Sequence, residues 1–198
     1  FESQSREESG SFDITPSVVE VSLYEAIDSP YISGSILMMD TSAVTSTINF
    51  QGQEDLVLSI RVGSKLLDLE FKIFSVSNAM KDDYASSLLI QFIEKQGYIS
   101  NFKRLRGTHS GEISDIIVRV MKEECGVDML PERVEQTPNV VRVLDANRTP
   151  LGLCEWLKNN VSSDDGEPYF LFSTVLGGLR FSSLGNLGND GLERSFRY

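Results

Sequence analysis

From Val18 to about Glu94 the chain offers strand after strand with no helix between them, and nothing else in it limits the fold as much. The clearest strand is Leu66–Val76. Leu67, Leu69, Phe71 and Ile73 fall on one face and Asp68, Glu70 and Lys72 on the other, the two-residue period of a strand with one buried side. Val19-Glu20-Val21-Ser22-Leu23 alternates in the same way, which places Val19, Val21 and Leu23 on a buried face. Asp28-Ser29-Pro30 interrupts the pattern, because proline cannot donate to a sheet ladder and Asp and Ser favour turns. Pairing is expected to resume from Ser33 to Asp40, giving a hairpin-like seed onto which later strands add. Those later strands are Leu56–Val62, closed by Gly63-Ser64, and Ser86–Ile93, which follows a turn at Lys81-Asp82-Asp83. Thr41–Gln53 reads as a connection, part of it compatible with a short helix. Strands of this length without intervening helices predict an antiparallel barrel or sandwich.

The flanking segments differ in character. Residues 1–17 are polar, Ser-rich and aperiodic, an arm that cannot bury a face by itself and is either disordered or ordered by a partner. Gly97–Gly111 reads as an exposed loop carrying Lys103, Arg104, Arg106 and His109, a basic cluster able to meet phosphate or an acidic partner. A helix is expected from Ser110-Gly111-Glu112 onward. Ile113, Ile116, Ile117, Val120, Met121 and Cys125 follow helical spacing, and Gly126 sits where a helix stops. An extended piece around Val140–Leu144 precedes a second helix opened by Thr149-Pro150, a cap residue followed by a first-turn proline. Leu153, Trp156, Leu157 and Val161 give that helix an apolar face, which makes Trp156 a core residue. After the loop Ser162–Gly166, Tyr169–Leu176 and Leu179–Leu184 form a hairpin across Gly177-Gly178, and Gly185–Tyr198 reads as a loose tail. The fold class is therefore α+β, mainly β. Its expected divisions are an arm at 1–17, a β-domain at 18–106 and an α+β domain at 107–198.

The chain has 198 residues, 40% of them apolar, which suffices for a sizeable core. Its 18 basic and 29 acidic residues give a net charge of −11, which argues against gripping nucleic acid and against docking on anionic membrane. It contains no apolar run long enough to cross a membrane and opens with no signal-peptide pattern. It begins at Phe1 rather than Met, so a processed chain or a piece of a longer polypeptide is expected. The two cysteines, Cys125 and Cys154, lie in apolar helical patterns and read as buried free thiols. A single histidine, His109, is too few for the common multi-histidine metal sites. Gly177-Gly178 lacks the Gly-Lys-Ser/Thr of a phosphate loop, and Asp82-Asp83 and Asp164-Asp165 are turn pairs without calcium-loop spacing. No catalytic constellation emerges, so no catalytic, cofactor-binding or metal-ligating residues are assigned, and no enzyme activity is expected.

One family matches the order of these pieces. Val21–Ile36, then Asp40, then Gly52-Gln53-Glu54-Asp55-Leu56, resembles the opening of the central baseplate hub protein of contractile-tailed bacteriophages. The similarity continues through Phe71-Lys72-Ile73, a strand ending near Glu94, the 110–125 helix, Thr149-Pro150-Leu151 and Tyr169-Phe170-Leu171-Phe172, and so spans about residues 18–184. The resemblance implies a tail-tube-like β-barrel or split-barrel domain followed by a smaller α+β domain, related to the spike hub of type VI secretion. It implies a homotrimeric ring between tail tube protein and central spike protein, with tape-measure and baseplate wedge proteins as neighbours, located in the virion baseplate and assembled in the host cytoplasm. No cofactor, stable nucleic-acid binding or membrane insertion goes with it. The family plan has a second tube-like domain, and nothing after residue 184 reads as one. A second reading, from another class, is a virion or cell-surface β-sandwich module that binds carbohydrate or a receptor; it needs an exposed aromatic platform.

Overall fold

The computed structural model describes residues 12–39, 52–81 and 86–189. Five strands form one antiparallel sheet: β1 (Val18–Tyr24), β2 (Ser33–Met39), β3 (Asp55–Val62), β4 (Lys65–Lys81) and β5 (Ser86–Glu94), in the order β1-β2-β5-β4-β3. β4 is 17 residues long, so it pairs with β3 along its first half and with β5 further on. Its register against β5 slips between Ile73 and Ser75 and again between Asn78 and Met80, and β1 slips against β2 between Val18 and Glu20. Each extra residue bends its strand and increases the local twist. The sheet accordingly curls into a half-barrel.

The curled sheet closes over its own apolar face. Ile36, Met38, Leu56, Phe71, Ile73, Leu88, Ile90 and Phe92 are buried there, with the Phe71 and Phe92 rings 4.7 Å apart and tilted by 57°. Gly34 makes this packing possible: a Cβ at that position would run into the Phe92 ring on one side and the Ser22 carbonyl oxygen on the other. The face expected on β1 is not buried. Val19 sits at the register slip, and Val19 and Val21 are exposed while only Leu23 packs against the core. β1 is an edge strand at the rim of the curl, so among the described residues nothing covers its outer side chains.

A second core lies downstream. It gathers α2 (Ile113–Cys125), α3 (Pro150–Asn159), a ribbon of β6 (Arg106–Glu112) with β7 (Val140–Ala146), and a hairpin of β8 (Tyr169–Thr174) with β9 (Gly178–Ser183). Ile113, Ile116, Ile117, Val120 and Met121 of α2 pack with Leu153 and Leu157 of α3 and with Tyr169, Leu171 and Phe181 of the hairpin. Gly126 ends α2 in the left-handed conformation (φ 68°), and the Val127 amide returns to the Met121 carbonyl at 3.0 Å. Thr149 caps α3 by accepting from the Gly152 amide at 3.0 Å, with Pro150 at the first helical position.

Two segments expected to be irregular are regular. Between the cores, α1 (Lys95–Phe102) occupies the start of what reads as a loop. Its buried positions are Gln96, Gly97 and Ser100, none of them apolar in the usual sense, so no hydrophobic stripe announces it. A Cβ on Gly97 would lie 2.7 Å from Ile93 Cδ1 and 3.0 Å from Tyr31, so glycine here lets the helix lie close against the sheet. The second half of the expected loop is β6, and the first turn of the expected tail is α4 (Leu184–Asn189). Most of the 41–53 connection, the Asp82-Asp83 pair, residues 1–11 of the arm and 190–198 of the tail lie outside the described residues. The described end of the arm is a single 3-10 turn, Thr15–Ser17, whose first amide donates to Asp13 Oδ1 at 2.9 Å.

Candidate assembly surface

Among the described residues, two strands of the half-barrel, β1 and β3, have a hydrogen-bonded neighbour on one side only. On the other side their backbone groups form unpaired rows, which attract further strands unless something covers them. Apolar side chains accompany both edges: Val19, Val21 and Tyr24 on β1 and Val57 on β3 are exposed, as is Leu66 at the start of β4. Charged side chains share these edges: Glu20 on β1 and Asp55, Arg61, Asp68 and Glu70 on β3 and β4 are exposed, Lys72 pairs with Asp55 at 2.6 Å and Ser59 donates to Asp68 at 2.6 Å. Edges with no strand partner among the described residues offer their backbone groups to a strand from another chain.

Glu94 fixes the two cores to each other. It ends β5, and its Oε2 accepts from the Ile32 amide and from Gln96 Nε2, each at 2.7 Å. Its Oε1 accepts from the Ser173 hydroxyl of β8 at 3.1 Å. Nearby the Ser173 amide donates to the Ser29 carbonyl at 3.1 Å, the Val175 amide donates to Glu25 Oε1, and Val175 packs against the sheet core. Burial raises the Glu94 carboxyl above the ordinary carboxylate range, and the charge of Glu25 adds to this. The three hydrogen bonds oppose the shift without cancelling it.

A cleft of about 790 Å³ opens on the second core. Glu112, Glu135, Asp164, Asp165 and Glu167 line it together with Tyr169. Two of these acids are already engaged. Glu167 Oε2 accepts from the Gly185 amide at 2.6 Å, and Glu135 accepts from the Ser183 amide at 2.6 Å and from the hydroxyls of Ser183 and Ser182 at 2.8 and 3.0 Å. Burial raises Glu135, but those bonds outweigh it and hold the carboxyl below its usual range. Burial, followed by the charges of Glu135 and Asp164, pushes the Tyr169 phenol up to about 12. The cleft is therefore strongly negative.

The residues singled out in the sequence do not converge. Lys103 donates to the Glu124 carbonyl at 2.6 Å at the end of α2, where a cation meets the helix dipole favourably. Arg104 turns back onto the carbonyls of Asn101 and Lys103, while Arg106 and His109 stand on β6. His109 is half-buried opposite Val143, and its Nε2 has no hydrogen-bond partner among the described residues. Cys125 and Cys154 are both buried free thiols; burial pushes Cys125 up to about 11 and raises Cys154 as well. Thiols held so high stay protonated near neutrality and are poor nucleophiles. Asp164 and Asp165 lie in an exposed turn. Among the described residues no group of three or more His, Cys, Asp or Glu side chains is placed to hold a metal ion, and no helix is long and apolar enough to cross a membrane.

Trp156 corrects an expectation. It is 38% exposed, and the Arg148 guanidinium lies 4.9 Å from its ring centroid. Leu153 and Leu157, its neighbours on the helix face, are fully buried, so the apolar stripe is narrower than its sequence spacing suggests. The ring is neither core nor open platform, since an arginine covers one of its faces. Sequence reasoning passed over Glu94 altogether. Its only signal is an acidic residue at the apolar end of a strand.

Neither the protein-family models nor the curated proteins contain a match to this chain. Solved structures do share its fold. An Escherichia coli protein, c3393, is described as a component of the type VI secretion system with structural similarity to the T4 bacteriophage tail proteins gp27 and gp5. It aligns over 84% of this chain and 45% of its own, with a TM-score of 0.54 and 9% identity. The 43 kDa tail protein of prophage MuSo2 from Shewanella oneidensis aligns over 82% of this chain and 49% of its own, with a TM-score of 0.52 and 12% identity. The chain thus spans about half the length of each.

Proposed function

We propose that this chain is a structural part of a phage-tail or type VI-like hub, a ring that joins the tail tube to the central spike. The observation that carries the reading is the curled five-stranded sheet with both edges open among the described residues, in a fold shared with a phage tail protein and a type VI secretion component. A tube wall needs such a sheet, because β1 of one copy can continue into β3 of the next around a common axis. Residues 18–106 form the wall in this reading, and 107–198 lie outside it. Three copies of a longer chain make the ring, with tube and spike proteins above and below and wedge and tape-measure proteins around it. The net charge of −11 suits a lumen that nucleic acid must pass without adhering.

Electron microscopy and sedimentation of the assembled protein test the proposal. The expected result is a threefold particle in which the amides of β1 and β3 are protected from hydrogen exchange. A solitary half-barrel, with both edges exchanging freely, overturns it.

A further inference from the structure

The ribbon β6–β7 has one face against the second core and one face to solvent. His109, Val143 and Asp145 point inward, whereas the pairs Arg106–Ala146, Thr108–Leu144, Ser110–Arg142 and Glu112–Val140 point outward. On that outer face Val140 is 75% and Leu144 72% exposed, among the most exposed large apolar residues described. Arg142 stands between them and Arg106 beyond Leu144, both exposed and neither with an ion-pair or hydrogen-bond partner among the described residues, and Glu112 shares the face opposite Val140. From Arg106 to Arg142 this face is basic and apolar, an anomaly on a chain of net charge −11, and its complement lies on the same molecule. The acidic cleft adjoins the Glu112 end of the ribbon. Within it the carboxylates of Glu112, Asp164 and Asp165 make no hydrogen bond or ion pair among the described residues, unlike those of Glu135 and Glu167. Six residues of extended chain separate Arg106 from Glu112, roughly 20 Å, beyond the reach of screened surface charges at physiological salt. Arg106 therefore does not satisfy the cleft of its own chain, while Arg142, diagonal to Glu112 across the ribbon, lies nearer to it.

We infer that the outer face of the β6–β7 ribbon of one copy docks into the acidic cleft of a neighbouring copy, Leu144 and Val140 supplying apolar contact while Arg106 and Arg142 meet the carboxylates of Asp164 and Asp165. The occupant is a second copy because the two complementary surfaces belong to one chain. A ring, moreover, requires that each contact join two different patches of successive subunits. The inference rests on the ring reading and adds to it a lateral contact outside the sheet edges.

Charge reversal tests it in the full chain. Arg106→Glu with Arg142→Glu should weaken self-association by about tenfold or more, as expected for close opposing charges across an interface, with an unchanged circular dichroism spectrum. Adding Asp164→Arg and Asp165→Arg to that variant should restore association. If wild-type rings form and the arginine reversal leaves their stability unchanged, or if the second pair of changes fails to restore it, the docking inference is wrong and the ring reading survives. A wild-type protein that stays monomeric from micromolar to millimolar concentration removes the ring reading, and this contact with it.

Discussion

Replacing Gly34 with alanine probes the half-barrel at its tightest point. The added methyl has two obstacles, the Phe92 ring and the Ser22 carbonyl oxygen, and the second is backbone in the paired strand. Overpacking a dense core costs roughly 1–3 kcal/mol, and the upper end applies because a carbonyl held in the β1–β2 ladder cannot rotate away. Against this, alanine in a strand interior recovers about 0.5–1 kcal/mol of the entropy that glycine loses on folding. The net loss is about 2–2.5 kcal/mol. For a chain of this size each kcal/mol lowers the melting temperature by roughly 2–4 °C, so calorimetry should show a fall of about 4–10 °C, and urea unfolding a lower midpoint at unchanged slope. Combining Gly34→Ala with Phe92→Leu removes the ring obstacle and leaves the carbonyl. The pair should therefore cost less than the sum of the single changes. A Gly34→Ala protein within about 0.5 kcal/mol of wild type, or strict additivity in the double variant, refutes the close-packing account.

Trp156→Ala should cost about 1–2 kcal/mol, less than the 3–5 kcal/mol of a buried tryptophan, because part of the indole already meets water and the arginine contact contributes under about 1 kcal/mol. Iodide should quench its fluorescence only partly, and complete protection would return Trp156 to the core. Glu94 gives a pH signature. Its carboxyl is raised in the folded state, so the fold binds that proton more tightly than the unfolded chain does. The associated stability is full below the ordinary value of 4.5 and is lost as pH rises through the raised one. Chemical denaturation of wild type and Glu94→Gln across this window should show wild type losing ground to the variant as pH rises, and the opposite slope would reverse the assignment.

The sheet and two of the helices are legible in the sequence because their burial is one-sided. Leu67, Leu69, Phe71 and Ile73 alternate, and Ile113 to Cys125 keep helical spacing, since each element has one face against a core. α1 is illegible for the converse reason: it buries glutamine, glycine and serine, which carry no hydrophobic period. β6 reads as a loop because Gly107 and Gly111 punctuate it. Both adopt positive φ values, 144° and 131°, that suit glycine within an extended strand. The exposure of Val19 and Val21 depends on sheet order, and a strand's position at an edge is decided by residues distant in sequence. The same holds for the charged cleft, whose acids come from three separate segments between Glu112 and Glu167.

The bond from the Val175 amide to Glu25 joins residues 150 apart in the chain, and the Ser173–Glu94 bond joins residues 79 apart. Closing so long a loop costs entropy that local contacts of the second core, such as those between α2 and α3, do not have to meet. These ties are therefore expected to form late in folding, after both cores, and to couple the cores in one cooperative transition. Kinetically they act as a latch. Loosening them leaves the rate of collapse nearly unchanged and shortens the lifetime of the finished molecule.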